Sequence, residues 1–260
     1  MAATVSARIW SSTLTGTSIL APVSCGRTAG VSVFPPRVAT FDCYGTLVDW
    51  DGGLGTFLHA LALRLGDPEP PPGRVLRERW EAIQFELVQG PYRPYKAVLV
   101  EALRALAAER GWALDDGEGE ALVRAMRSWQ PFPDTRPALE RARAAGVRLV
   151  IVSNTDRDII SHTLRQLEVP FDDVVTAEDC GVYKPSEIVF RRALERVGEP
   201  PEHVLHVAFG FKYDIPPAQR LGMRTAWVNR GAEARPADAN PDFEWRDLWG
   251  LAELARTPDP

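Results

Sequence analysis

An aspartate, Asp42, stands between an apolar run and a Gly-Thr turn in T-F-D-C-Y-G-T-L-V-D-W, residues Thr40 to Trp50. A carboxylate delivered at the end of a buried strand can act as a nucleophile. Two residues on comes Tyr44 rather than a second carboxylate, so a proton donor suited to a basic leaving group is missing. Further polar groups follow other short apolar runs: Ser153 and Asn154 in V-S-N-T-D, Lys184 in G-V-Y-K-P-S, and Asp214 closing F-G-F-K-Y-D. Taken singly, each has an ordinary explanation as a turn residue, a helix cap or a solvated charge. Together, in chain order, they describe one anion that attacks and one cation that balances negative charge.

To meet, these groups need strands that end side by side. Residues 37–41, 147–152, 173–176, 204–208 and 224–228 are short, nearly continuous apolar runs and read as buried parallel strands. Helical patterns near 135–145, 156–167, 186–197 and 214–221 lie between them, each closed by Gly, Pro or a turn residue. Such alternation predicts an α/β, doubly wound, Rossmann-like core whose ligands bind beyond the carboxyl ends of a parallel sheet. Residues 56–131 break the pattern, with helical periodicity at 74–89, 95–110 and 118–129 and the loop D-P-E-P-P-P-G among them. The expected organisation is a core of 37–55 and 132–260 with a helical cap at 56–131, placed to exclude water and select substrate. Of the cap tryptophans Trp80, Trp112 and Trp129, two are expected in plain core and one in a pocket.

Composition narrows the partners. With 30 basic and 35 acidic residues and a net charge of -5, the chain has no basic stripe for nucleic acid, and a small anionic substrate must be held by local donors. Residues 1–36 are rich in Ser, Thr, Gly and Ala, carry Arg8 and Arg27 and no acidic residue, and read as a disordered tail with the tone of a transit peptide. They hold no apolar run long enough for a membrane span, and the default location is cytoplasmic. Cys25, Cys43 and Cys180 are odd in number and far apart, which argues for a reducing compartment. His203 and His206, three apart at a strand entrance, fall on opposite faces and make no zinc pair; no metal or cofactor is expected.

The combined motifs resemble the haloacid dehalogenase superfamily of aspartate-nucleophile hydrolases. F-D-C-Y-G-T-L-V-D, V-S-N and V-Y-K-P match its first three motifs, with W-Q-P-F-P-D where the cap rejoins the core and G-M-R-T-A-W-V-N-R near the end, over residues 37–230. The resemblance implies that Asp42 is the nucleophile, that Thr46 and Ser153 position substrate and intermediate, and that Lys184 stabilises the anion. The branch with D-x-Y-G-T is that of the L-2-haloacid dehalogenases, which work without a metal. By that likeness Ser153 and the backbone N–H of Cys43 hold the substrate carboxylate, Tyr44 and Asn154 lie in the substrate site, Asp214 helps activate water, and the chain pairs as a homodimer.

Departures from these patterns choose among reactions. Phosphatases of the superfamily carry an aspartate where Tyr44 stands, and a Mg²⁺-binding carboxylate where Ala208-Phe209 stand. Halide, a very weak base, leaves with neither proton nor metal. The expected reaction is therefore displacement of halide from short 2-haloacids through an aspartyl ester. Against it, Glu81 follows Trp80 where the dehalogenases place a halide-binding arginine, so Arg79 or Arg77 must turn inward; Phe190 replaces a tyrosine, and F-G-F-K-Y-D supplies Lys212 and Tyr213 in place of a Ser- and Asn-rich motif. Two alternatives stay open: the amine of a strained cyclic amino acid as a cationic leaving group facing Glu81, and a Mg²⁺-dependent phosphatase of small metabolites. A non-enzymatic interaction protein leaves the convergent polar groups unexplained.

Overall fold

The computed structural model describes residues 36–236 and 240–256; the reading of residues 1–36 as a tail lies, apart from Pro36, outside the described residues. Strands form where the apolar runs predict: β1 (Val38–Phe41), β2 (Arg148–Ser153), β3 (Asp173–Thr176), β4 (Val204–Ala208) and β5 (Arg224–Val228). A further strand, β6 (Phe243–Trp245), was not expected, because F-E-W is too short and too polar to show a period. All pair in parallel in the order β3-β2-β1-β4-β5-β6. The chain runs outward from β1 to β3 and then crosses back to β4, so the order reverses beside β1. That reversal opens a crevice at the carboxyl ends of β1 and β4.

Alternation along the strands gives each sheet face its own core. Ala39, Phe41, Leu149, Ile151 and Val207 face one side, while Val38, Val150, Val152 and Val175 face the other. The helices follow in chain order: α1 (Trp50–Arg64), α2 (Gly73–Leu87), α3 (Tyr95–Arg110), α4 (Glu118–Met126), α5 (Thr135–Ala144), α6 (Arg157–Leu167), α7 (Ala177–Cys180), α8 (Glu187–Val197), α9 (Phe211–Arg220) and α10 (Trp249–Leu254). Leu139 of α5, Ile160 of α6 and Leu251 of α10 join the first face; Phe190 of α8 and Ala218 of α9 join the second. Among the described residues, no helix is long and apolar enough to cross a membrane.

The helices between β1 and β2 start earlier than expected. α1 begins at Trp50, so the boundary drawn at residue 56 falls inside a helix. Gly52, Gly53 and Gly55 hid it, since glycine costs about 1 kcal/mol relative to alanine in a helix interior. Asp49 caps the first turn by accepting from the Gly52 N–H, and Trp50, Leu54, Leu58 and Leu61 bury one face. Gly55 also serves a contact: a Cβ on Gly73 would stand 2.4 Å from the Gly55 carbonyl oxygen, so α1 and α2 cross with their backbones touching. The insertion is tied to the sheet rim through α3, whose first amides, Tyr95 and Lys96, donate to Asp156 at 2.8 and 3.0 Å. Tyr183 adds a hydrogen bond of 2.7 Å to the Arg93 carbonyl. Trp80, Trp112 and Trp129 are all buried in the main core; none of them lines the crevice at the strand ends, and Trp112 borders a separate pocket beside Leu103 and Leu114.

Candidate active site

Asp42 leaves β1 with its backbone still paired, donating to Val207 O at 3.1 Å, which fixes where its carboxylate points. Oδ1 accepts from Lys184 Nζ at 2.9 Å and Oδ2 from Thr46 Oγ1 at 2.9 Å. Thr46 reaches back because the turn at Gly45 has φ of +94°, a value glycine adopts freely. The Phe209 ring packs so close to Gly45 that a Cβ there would stand 2.4 Å away. The Phe209 N–H donates to Thr46 Oγ1 at 2.9 Å, joining the ends of β1 and β4. Arg230 braces the same turn, donating to Thr46 O at 2.9 Å and gripping both oxygens of Asp134 at 3.0 and 2.9 Å. The two late motifs, W-Q-P-F-P-D and V-N-R, thus meet behind the first.

Lys184 is buried and spends all three protons: on Asp42 Oδ1, on Asp214 Oδ1 at 2.7 Å and on Val152 O at 3.0 Å. Its backbone is held by Asn154, which accepts from Lys184 N at 2.7 Å and donates to Lys184 O at 3.1 Å. Asn154, expected in the substrate site, lines the crevice and also engages its amide in placing the lysine. Burial alone favours the neutral amine, yet Asp214 and Asp42 hold the Lys184 ammonium above its usual range. Burial raises the Asp42 carboxyl above the ordinary aspartate value; Lys184 pulls it back and the Asp214 charge pushes it up again. For Asp214 burial also pushes upward, but Lys184 and a hydrogen bond from His206 hold it below that value. The arrangement is one ammonium shared by two buried carboxylates, both of which line the crevice.

The crevice is a cavity of about 60 Å³. Its floor is Asp42, Ser153, Lys184 and Asp214, and Tyr44, Phe209, Gly210 and Tyr213 form one side. Trp50 of α1, Glu81 and Gln84 of α2 and Tyr95 of α3 close it from the insertion. The buried hydroxyls of Ser153 and Tyr213 have no hydrogen-bond partner among the described residues. The same holds for the backbone N–H of Cys43, whose side chain is buried away from the cavity. Tyr44 bonds through its hydroxyl to Thr163 at 2.8 Å, and burial pushes its acidity well out of the working range, so it is no proton donor.

The structure places Glu81 and Arg79 of α2 differently. Glu81 does line the cavity, paired with Arg77 at 2.9 Å and approached by Lys212 at 3.8 Å. Arg79 does not: it is half exposed and pairs with Glu109, because two positions on a helix turn a side chain through about 200°. Of the two arginines, Arg77 is the one on the inner face. Sequence reasoning missed Trp50, which lines the cavity and packs on Trp80 with centroids 6.1 Å apart. It also set aside His206, which bonds Asp214; the available signal was a histidine inside an apolar strand, two residues from its end.

A parallel sheet with a buried aspartate, lysine and second aspartate at its switch point, closed by inserted helices, defines an α/β protein built to act on a small molecule. The chain belongs to the haloacid dehalogenase-like hydrolases, a family that matches residues 36–222. An (S)-2-haloacid dehalogenase of Pseudomonas putida is 30% identical over 216 residues, spanning 80% of this chain and 91% of that protein. A phosphoserine phosphatase of Thermus thermophilus is 29% identical over 184 residues, 65% of this chain and 74% of its own. A solved L-2-haloacid dehalogenase shares the fold with a TM-score of 0.77 at 24% identity, covering 85% of this chain and 99% of that one.

Proposed function

We propose that the chain is a metal-independent dehalogenase in which Asp42 displaces halide from C2 of short 2-haloacids. The carrying observation is Lys184 Nζ, which stands between Asp42 and Asp214 in bonding contact with both. In the first step an Asp42 oxygen attacks C2, the carbon–halogen bond breaks, and halide departs with the bonding pair. Lys184 and Thr46 hold the attacking carboxylate in line, so little reorganisation accompanies attack. The unpartnered Ser153 hydroxyl and Cys43 N–H are donors suited to the substrate carboxylate. In the second step water adds to the Asp42 carboxyl carbon, Asp214 takes its proton, and the 2-hydroxy acid leaves while Asp42 is regenerated.

The alternatives fit less well. A Mg²⁺-dependent phosphatase needs oxygen ligands in octahedral array, but Lys184 already spans the two carboxylates and Phe209 fills the position after Ala208. A cationic leaving group would suit Glu81 only if its carboxylate were free, and Arg77 already pairs with it. The test is halide release from chloro-, bromo- and fluoroacetate and 2-halopropionates, with and without chelator, beside Asp42→Asn. Release that survives chelator and is lost in the variant is expected; no release from any member of the panel would sink the proposal.

A further inference from the structure

His206 is a buried titratable group that the proposed reaction does not use. Sheet register sets it directly beside Thr40, with both side chains on the face covered by α8 and α9. Its Nε2 lies 3.0 Å from Asp214 Oδ1 and its Nδ1 2.8 Å from Thr40 Oγ1. A carboxylate only accepts, so Nε2 carries the hydrogen, and the Thr40 hydroxyl can donate to Nδ1. Phe190 closes the remaining side edge-on, with ring centroids 5.1 Å apart, and offers no competing polar atom. Asp214 Oδ1 is thereby occupied twice, by His206 and by Lys184, while Oδ2 accepts no hydrogen bond among the described residues. Oδ2 lies 3.0 Å from where a Cβ on Gly210 would stand, and both residues line the cavity.

We infer that His206 is a positioning residue for ester hydrolysis: by pinning Oδ1 of Asp214 it presents Oδ2 to the cavity as the base for the hydrolytic water. The inference rests on the Asp42 ester chemistry proposed above. Water oxygen bonds to Cγ of the esterified Asp42 and one water proton passes to Asp214 Oδ2. The bond from Cγ to the hydroxy-acid oxygen then breaks, that oxygen takes the proton from Asp214, and the second water proton goes to solvent as Asp42 reionises. Halide displacement uses no proton from Asp214, so loss of His206 should slow the second step and spare the first.

The test is a single-turnover experiment on the full chain with 2-chloropropionate, reading halide release and, after quenching, ester on the Asp42 peptide by mass. His206→Leu should release its first halide at the wild-type rate, accumulate ester, and turn over about 10²-fold more slowly, the scale of a misplaced reacting group. His206→Gln, whose amide can donate to Asp214 from about the same place, should recover to within about tenfold, the worth of one hydrogen bond. Equal slowing of ester formation and hydrolysis, or of neither, overturns the assignment. If the Leu variant does not fold, Thr40→Val replaces it: slower hydrolysis with unchanged ester formation supports the role, and equal loss in both overturns it. A wild type that releases no halide removes the Asp42 reaction and this inference with it, and that result is visible before any variant is made.

Discussion

At the strand ends each buried charge has at least two partners within 3.0 Å, Asp42 on Lys184 and Thr46, Asp214 on Lys184 and His206. Around Glu81, on the opposite wall, the charges are looser. Arg77 meets Glu81 at 2.9 Å but Asp51 only at 3.4 Å, Lys212 stays 3.8 Å from Glu81, and the Trp80 indole N–H has no partner among the described residues. Groups that stabilise charge during a reaction act best when fixed beforehand, whereas groups that select a substrate can settle around it. Under the proposed reaction the rim suits the chemical step and the insertion suits choosing what enters.

The largest expected effects fall on the rim. Asp42→Asn should lower halide release by about 10⁴-fold or more, the scale of losing a nucleophile. Because burial raises the Asp42 carboxyl above its ordinary value, its ionised form costs the folded state. The asparagine variant should therefore melt no lower than the wild type, which calorimetry at pH 7 checks. Lys184→Met should act the other way on stability, leaving two facing carboxylates without their shared cation. Removing one partner of a buried ion pair costs about 3–5 kcal/mol, and urea unfolding should show a deficit that shrinks as falling pH protonates a carboxylate.

A smaller effect is expected across the cavity. Glu81→Gln removes a negative charge near the departing halide while keeping the shape of the wall. Its kcat/KM for 2-haloacids should rise by about threefold to tenfold, roughly 1 kcal/mol of relieved repulsion at the screened distances of a partly exposed pair. A drop as deep as that of Asp42→Asn would show that Glu81 belongs to the reacting machinery and would erase the contrast between the walls.

The same contrast explains what the sequence disclosed. Asp42, Ser153, Lys184 and Asp214 follow strands that are continuous apolar runs, and parallel pairing then fixes which residues end at the crevice. No such rule aims the insertion. Which face of α2 turns inward depends on how it crosses α1, and that crossing is set by backbone contact between Gly55 and Gly73, residues far apart in sequence with no pattern to pair them. Arg79 and Glu81, two positions apart, sit about 200° apart on a helix and cannot share a face, a constraint legible in the sequence. Trp50 was hidden because the glycines after it mask the start of α1. In the sequence His206 reads only as a candidate metal ligand, and its hydrogen bond to Asp214 joins residues on β4 and α9 that only the fold brings together.

Asp51, in the first turn of α1, gives the finest test of how loosely the insertion holds its charges. Burial, opposed by Arg77 and reinforced by Glu81, pushes its carboxyl from 3.8 up to about 6. Between those values the folded protein keeps a proton that the unfolded chain releases, so stability supplied by the protonated form is present below 3.8 and is lost as pH rises to about 6. A shift of this size would be worth about 3 kcal/mol in a fully buried group, and the solvent that reaches this partly exposed side chain reduces it to roughly 1 kcal/mol. Asp51→Asn should accordingly match the wild type in urea unfolding at pH 3.5 and exceed it by that amount at pH 7.5. Equal stability at both pH values would mean that Arg77 neutralises Asp51 as fully as Lys184 neutralises the rim, and the two walls would then be equally well matched.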